Sequence, residues 1–183
     1  MDIFQKISLA LFFVDMAIFL FSLLYKFRKI NLYIVESVFA PVLAVIIFFS
    51  VQPRLYLEMN HSIHLVGLLL LLFGVILGQW AYYSLGRNVD GFWEQKNQSK
   101  QRTVITTGLY NKIRHPVYTS LFLSYGGLVL TLLHPISIAL YIVGVLVLIY
   151  TARNEEQYLI RLFPEYAVYS KRTGRFFPKL GLK

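Results

Sequence analysis

Five runs of apolar residues, at positions 7–25, 32–51, 63–85, 116–133 and 136–151, leave this chain few ways to fold. Runs of about 20 residues match the hydrocarbon core of a bilayer, where every backbone N–H and C=O must find a partner within its own helix. The chain therefore reads as an all-α integral membrane protein with five transmembrane helices. Composition agrees: 57% of the 183 residues are hydrophobic and 15% are charged. A net charge of +9 would suggest nucleic acid for a soluble protein. In a membrane protein it reflects Lys and Arg gathered on the cytoplasmic side, so no nucleic-acid partner is expected. Cysteine is absent, which excludes a disulfide framework, a thiolate metal site and a cysteine nucleophile.

The distribution of the bases sets the topology. Sixteen of the 18 Lys and Arg lie in the first loop, in the segment from Arg87 to Arg114 and in the tail from Arg153 onward; only Lys6 and Arg54 lie on the other side. Five spans then place the N-terminus outside and the long loop and tail in the cytoplasm. Lys6 precedes an apolar run with no small-residue cleavage pattern after it, which reads as a retained first helix. Asp15 falls inside that first span, where a charge faces the bundle or is neutralised, and Pro41 predicts a kink in the second. Gly67, Gly74 and Gly78 give the third span a surface that another helix can approach closely, and Trp80, Tyr82 and Tyr83 form an aromatic belt at its end. His61 and His64 share a helix face but lack a third ligand, so no metal is expected there.

The fourth and fifth runs are short and joined only by His134 and Pro135, which predicts a tight antiparallel hairpin. The tail from Asn154 to Phe163 has a helical pattern with a stop at Pro164. Beyond it, aromatics and bases alternate in a segment suited either to anionic headgroups or to folding back over the long loop. The chain divides into three scaffold helices (residues 1–85) and a chemical half (residues 86–183) within one membrane domain.

Polar chemistry gathers in two places. Residues 86–115 form a loop too long to be a plain connection, and it ends in Arg114-His115-Pro116. Pro116 suits the first turn of a helix, which puts Arg114 and His115 beside N–H groups and a positive dipole end that favour an anionic ligand group. Arg153-Asn154-Glu155-Glu156 closes the last apolar run, so paired carboxylates emerge on the same side of the membrane.

These residues resemble the integral membrane methyltransferases of the isoprenylcysteine carboxyl methyltransferase group and their prokaryotic relatives. The likeness rests on Val104-Ile105-Thr106-Thr107-Gly108-Leu109-Tyr110, on Arg114-His115-Pro116-Val117-Tyr118, on Glu155-Glu156 with Leu159, and on the tail from Phe163 to Pro178 with Tyr169, Thr173 and Arg175. The resemblance implies S-adenosylmethionine as cofactor and a lipophilic or lipidated substrate entering from the bilayer. It implies cofactor contacts at Gln95, at Arg102, Thr103, Val104 and Ile105, at Tyr110, at His115, Pro116, Val117 and Tyr118, and at Glu155. Methyl transfer is an in-line displacement, so the protein mainly positions the reactants and supplies a suitable field. Aromatic faces such as Tyr110 and Tyr118 suit a sulfonium or adenine, and Glu155 suits amino or hydroxyl donors.

One departure bears on the substrate. In the eukaryotic isoprenylcysteine enzymes an arginine thought to orient the substrate carboxylate sits one helical turn before the glutamates. Thr151 holds that position here, which leaves Arg114 and Arg153, with Glu156, as candidates for the catalytic groups. The acceptor can then be a carboxylate, amine or hydroxyl of an isoprenoid or lipid-like molecule. Two rivals remain: a membrane sterol-reductase-like oxidoreductase using NADPH, whose C-terminal pattern is similar, and a non-catalytic adaptor whose polar loop binds a protein.

Overall fold

The structure, a computed structural model, describes residues 3–11, 13–14, 61–85 and 104–179. Asp15, the second span with Pro41, and the loop residues Gln95, Arg102 and Thr103 lie outside these residues. Residues 3–11 and 13–14 are helical. Four longer helices follow: α1 (His61–Leu85), α2 (Pro116–Leu132), α3 (Pro135–Leu162) and α4 (Pro164–Arg172). A single 3-10 turn, Gly108–Asn111, precedes α2. Among the described residues the extended backbone pairs at one isolated parallel bridge, Ile113 with Gly174.

Two of these helices, α1 and α3, are long and apolar enough to cross a membrane. Each turns an apolar face outward, with Leu69, Phe73 and Ile76 on α1 and Ile142, Val143 and Leu146 on α3 all exposed. Such faces suit lipid, and Trp80 and Tyr83 stand exposed near the end of α1 where a membrane boundary would fall. At 1.5 Å per residue, the 17 residues of α2 reach only about 25 Å, short of a ~30 Å core.

The chain forms two compact units, Met1–Phe73 with Leu123–Val145, and Gly74–Phe122 with Leu146–Lys183. In the first, α1 and α2 approach backbone to backbone. A Cβ on Gly127 would collide with the backbone of Leu71 and Gly67, and one on Gly67 would strike Thr131. Glycine is required because the contact is backbone against backbone, the arrangement expected of small residues in a membrane interface. Thr131 donates to the Gly127 carbonyl (2.9 Å) and accepts from Ser8 (3.4 Å), while the Gln5 amide donates to the Thr131 carbonyl (3.3 Å).

The expected hairpin is present. Leu133 adopts φ 48°, the left-handed turn that ends many helices, and its N–H donates to the Val129 carbonyl (2.7 Å). His134 then starts α3 by accepting the Ile136 N–H at Nδ1 (3.2 Å). Two features differ from the sequence reading. The fifth apolar run and the helical tail are one uninterrupted helix of 28 residues, so the carboxylates lie on the same helix as the apolar run. Pro164 is also not simply a stop, because Phe163 turns the chain with an extended φ of −132° and Pro164 begins α4 at its first position. A proline there loses no intrahelical hydrogen bond.

Candidate functional site

The second unit gathers charge at the start of α2. Adjacent residues on a helix point about 100° apart, so Glu155 and Glu156 leave α3 in different directions. Glu156 receives most of the cations. Its Oε1 accepts from Arg114 Nε (2.7 Å) and His115 Nε2 (3.2 Å), and its Oε2 accepts from Arg175 Nε (3.1 Å) and Nη2 (2.6 Å). Burial alone would raise the Glu156 pKa, but these donors outweigh it and hold the carboxyl well below the usual range. The apolar part of α3 ends at Thr151, so both glutamates lie beyond the stretch suited to lipid.

Glu155 has a different environment. Its Oε2 accepts from the Tyr118 hydroxyl (3.1 Å) and lies 3.5 Å from His115 Nδ1. Here burial wins over its neighbours and raises the pKa above the usual carboxylate value. Its side chain is 17% exposed, against 8% for Glu156. The His115 ring bridges the two carboxylates and stacks on Tyr118, with centroids 5.2 Å apart and planes 4° from parallel.

The tail runs back along the loop that leads into α2. Arg114 N–H donates to the Gly174 carbonyl (2.8 Å), His115 N–H to the Arg175 carbonyl (2.9 Å), and Gly174 N–H to the Lys112 carbonyl (3.1 Å). Thr119 Oγ1 donates to the Phe176 carbonyl (2.6 Å). Arg114 Nη1 donates to the carbonyls of Ser170 and Thr173, tying the end of α4 to the same place. A Cβ at Gly174 would run into the Phe177 carbonyl, so glycine allows the tail its tight course. Of the two courses open to the tail, this part folds over the loop. The N–H groups of Arg114 and His115 are thus both taken by the tail.

Among the other residues singled out in the sequence, Tyr110 is buried in the 3-10 turn, where its carbonyl accepts from the Tyr169 hydroxyl (2.6 Å). Burial, then the neighbouring Tyr169 and Glu155, push the Tyr110 phenol above its usual pKa. Pro116 is buried, and Val104, Ile105 and Val117 are half-buried. Arg153 is exposed, and among the described residues no hydrogen bond or ion pair joins it to this cluster. Thr119, Arg175 and Phe176 received no role from the sequence; Arg175 stood only as part of the matching tail.

A helical membrane protein with a charged cluster where its helices leave the apolar zone is the class this geometry defines. The family model for phospholipid methyltransferase matches residues 62–166, and the chain belongs to that family. The match spans α1 to the start of α4 and so includes both glutamates. The likeness to isoprenylcysteine methyltransferases is borne out as well. The protein-S-isoprenylcysteine O-methyltransferase of Xenopus laevis is 27% identical over 134 residues, covering 71% of this chain and 46% of that protein. The corresponding Saccharomyces cerevisiae protein is 34% identical over 111 residues, 57% of this chain and 46% of its own length. The nickel-cobalt-cadmium resistance protein NccN of Alcaligenes xylosoxydans xylosoxydans is 38% identical over 85 residues, 45% of this chain and 39% of that protein. The chain thus spans less than half the length of these relatives. Family and apolar helices together make this a membrane protein.

Proposed function

We propose that the chain is an integral membrane methyltransferase that carries a methyl group from S-adenosylmethionine to a lipophilic acceptor at the cytoplasmic face. One observation supports this above the others: Tyr118, His115 and Glu155 form a partly open cluster at the start of α2, held from behind by Glu156. The residues suit such a donor, since Glu155 offers an acceptor for amino or hydroxyl groups and stacked aromatic rings suit a sulfonium or a nucleobase. When bound, the donor supplies a methyl group on an electrophilic sulfonium.

The protein's part is to bind and orient. Glu155 accepts hydrogen bonds at the open side of the cluster, and the half-buried segment Val104–Thr106 presents backbone groups for a base edge. Gln95, Arg102 and Thr103 are assigned to the cofactor on the family resemblance alone, and Tyr110, Pro116 and Val117 would shape the site beside Glu155. Arg114 and Glu156 fix the ring of His115 and the entrance to α2, and Arg153 is assigned with them to the acceptor's polar head. The orientation, with N-terminus outside and loop and tail cytoplasmic, rests on the asymmetry of Lys and Arg.

The test uses detergent-purified protein, methyl-labelled S-adenosylmethionine and a lipid extract, with label followed into the organic phase. Label is expected with the wild type and absent with Glu155→Gln and His115→Ala variants that still elute as single species. Undiminished transfer by both variants would sink the site assignment.

A further inference from the structure

Resting on the proposed function, the geometry points to a ligand-binding role for Arg175: its guanidinium reads a carboxylate on a molecule bound at this site. Thr151, one helical turn before Glu155, is exposed on α3 and carries no charge, so it offers no cation of its own. Of the two cations on Glu156, Arg114 is the more enclosed. Its side chain is 8% exposed, with Nε on Glu156 and Nη1 on the Ser170 and Thr173 carbonyls. Arg175 is 33% exposed, and its Nε and Nη2 both donate to one oxygen, Glu156 Oε2. A guanidinium carries five N–H donors in a rigid fork. Holding Glu156 by one edge leaves Nη1 without a hydrogen-bond partner among the described residues, and that edge suits a second carboxylate.

Placement and charge favour a ligand there. The Arg175 carbonyl accepts the His115 N–H (2.9 Å), which anchors the residue at the mouth of α2. The next residue, Phe176, lies 6.0 Å from the His115 ring and packs edge-on against Phe122 at 5.0 Å, an apolar wall beside the charged group. Two guanidinium groups share the single carboxylate of Glu156, so positive charge is in excess on that side. Glu155 points elsewhere and makes its neighbourhood suited to N–H and O–H donors. A ligand with an acid group, or the amino-acid end of the methyl donor, meets complementary charge.

The two sources of a carboxylate are separated with paired probes on the full-length protein in detergent. S-adenosylhomocysteine is compared with 5′-methylthioadenosine, which keeps the adenosyl thioether but lacks the whole amino-acid end, carboxylate and ammonium alike. N-acetyl-S-farnesylcysteine is compared with its methyl ester. Arg175→Gln is expected to weaken the acid of one pair by at least about tenfold and to leave its uncharged partner unchanged. Arg175→Lys should restore part of the loss, and Lys179→Gln, a charge removed from the exposed end of the tail, should do nothing. A loss confined to the nucleoside pair assigns the carboxylate to the methyl donor; one confined to the farnesyl pair assigns it to the acceptor. Equal weakening within both pairs would mean that Arg175 only holds Glu156 in place, and that result, or no change at all, overturns the inference. Wild-type protein that binds neither nucleoside would remove the methyl-donor reading and this inference together.

Discussion

Around Thr131 the buried polar atoms are neutral, and around Glu156 they are charged. In the first region hydroxyl and amide groups of Ser8, Gln5 and Thr131 meet carbonyls and one another, and glycines bring the helix backbones together. In the second a single carboxylate takes three donor side chains, and the carboxylate beside it is left with a tyrosine and a histidine. Helix packing needs only the first kind of region, where neutral polar groups are satisfied at modest cost. Burying ions is expensive unless they are paired, so a charged cluster maintained at helix ends, with one carboxylate still reachable, marks a place where charge is used.

The neutral region is most vulnerable at Gly127. Gly127→Val forces a side chain into the backbone of Leu71 and should prevent recovery of a monodisperse protein, an overpacking penalty of about 3 kcal/mol or more. Glu156→Gln comes next. It leaves Arg114 and Arg175 without their counter-charge, and thermal unfolding in detergent should show a loss of about 3 kcal/mol along with weakened ligand binding. If Glu156→Gln were as stable as wild type, the carboxylate would not be the anchor described here.

Glu155→Gln should behave differently from its neighbour, keeping the fold while S-adenosylhomocysteine affinity drops by tenfold or more. Acid sharpens the contrast. The Glu155 pKa is raised, so its charge and the affinity that depends on it should fade as pH drops through a value above the usual ~4.3. The Glu156 pKa is depressed, so its stabilisation is complete above ~4.3 and is lost only as pH falls from there toward its folded value. A titration should therefore show binding failing before unfolding begins, and the reverse order would contradict the two assignments. The smallest effect belongs to the neutral region: Thr131→Val should lower stability by about 1 kcal/mol without touching ligand affinity.

Much of this was legible in the chain. The apolar runs mark α1 and the α2–α3 hairpin, and Arg114-His115-Pro116 with Glu155-Glu156 names most of the charged cluster. The resemblance implied separate roles for Glu155 and Glu156, but the partners that separate them were not legible. Adjacent carboxylates look alike in sequence, and only the helical turn between them sends one toward two arginines and the other toward Tyr118. The role of Thr173, Arg175 and Phe176 was also hidden, because these residues meet Arg114, Glu156 and Thr119 across 19 to 59 positions, largely through backbone carbonyls that carry no residue signature. Pro164 does mark the end of the long helix, and that it also opens α4 was not legible, because proline serves equally well as a first residue.

The most direct test of the central claim is a calorimetric titration of the detergent-purified protein with S-adenosylhomocysteine and, separately, with NADPH. Saturable binding of the first, lost in Glu155→Gln, is expected, and none of the second. Binding of NADPH instead, or of neither, would contradict it.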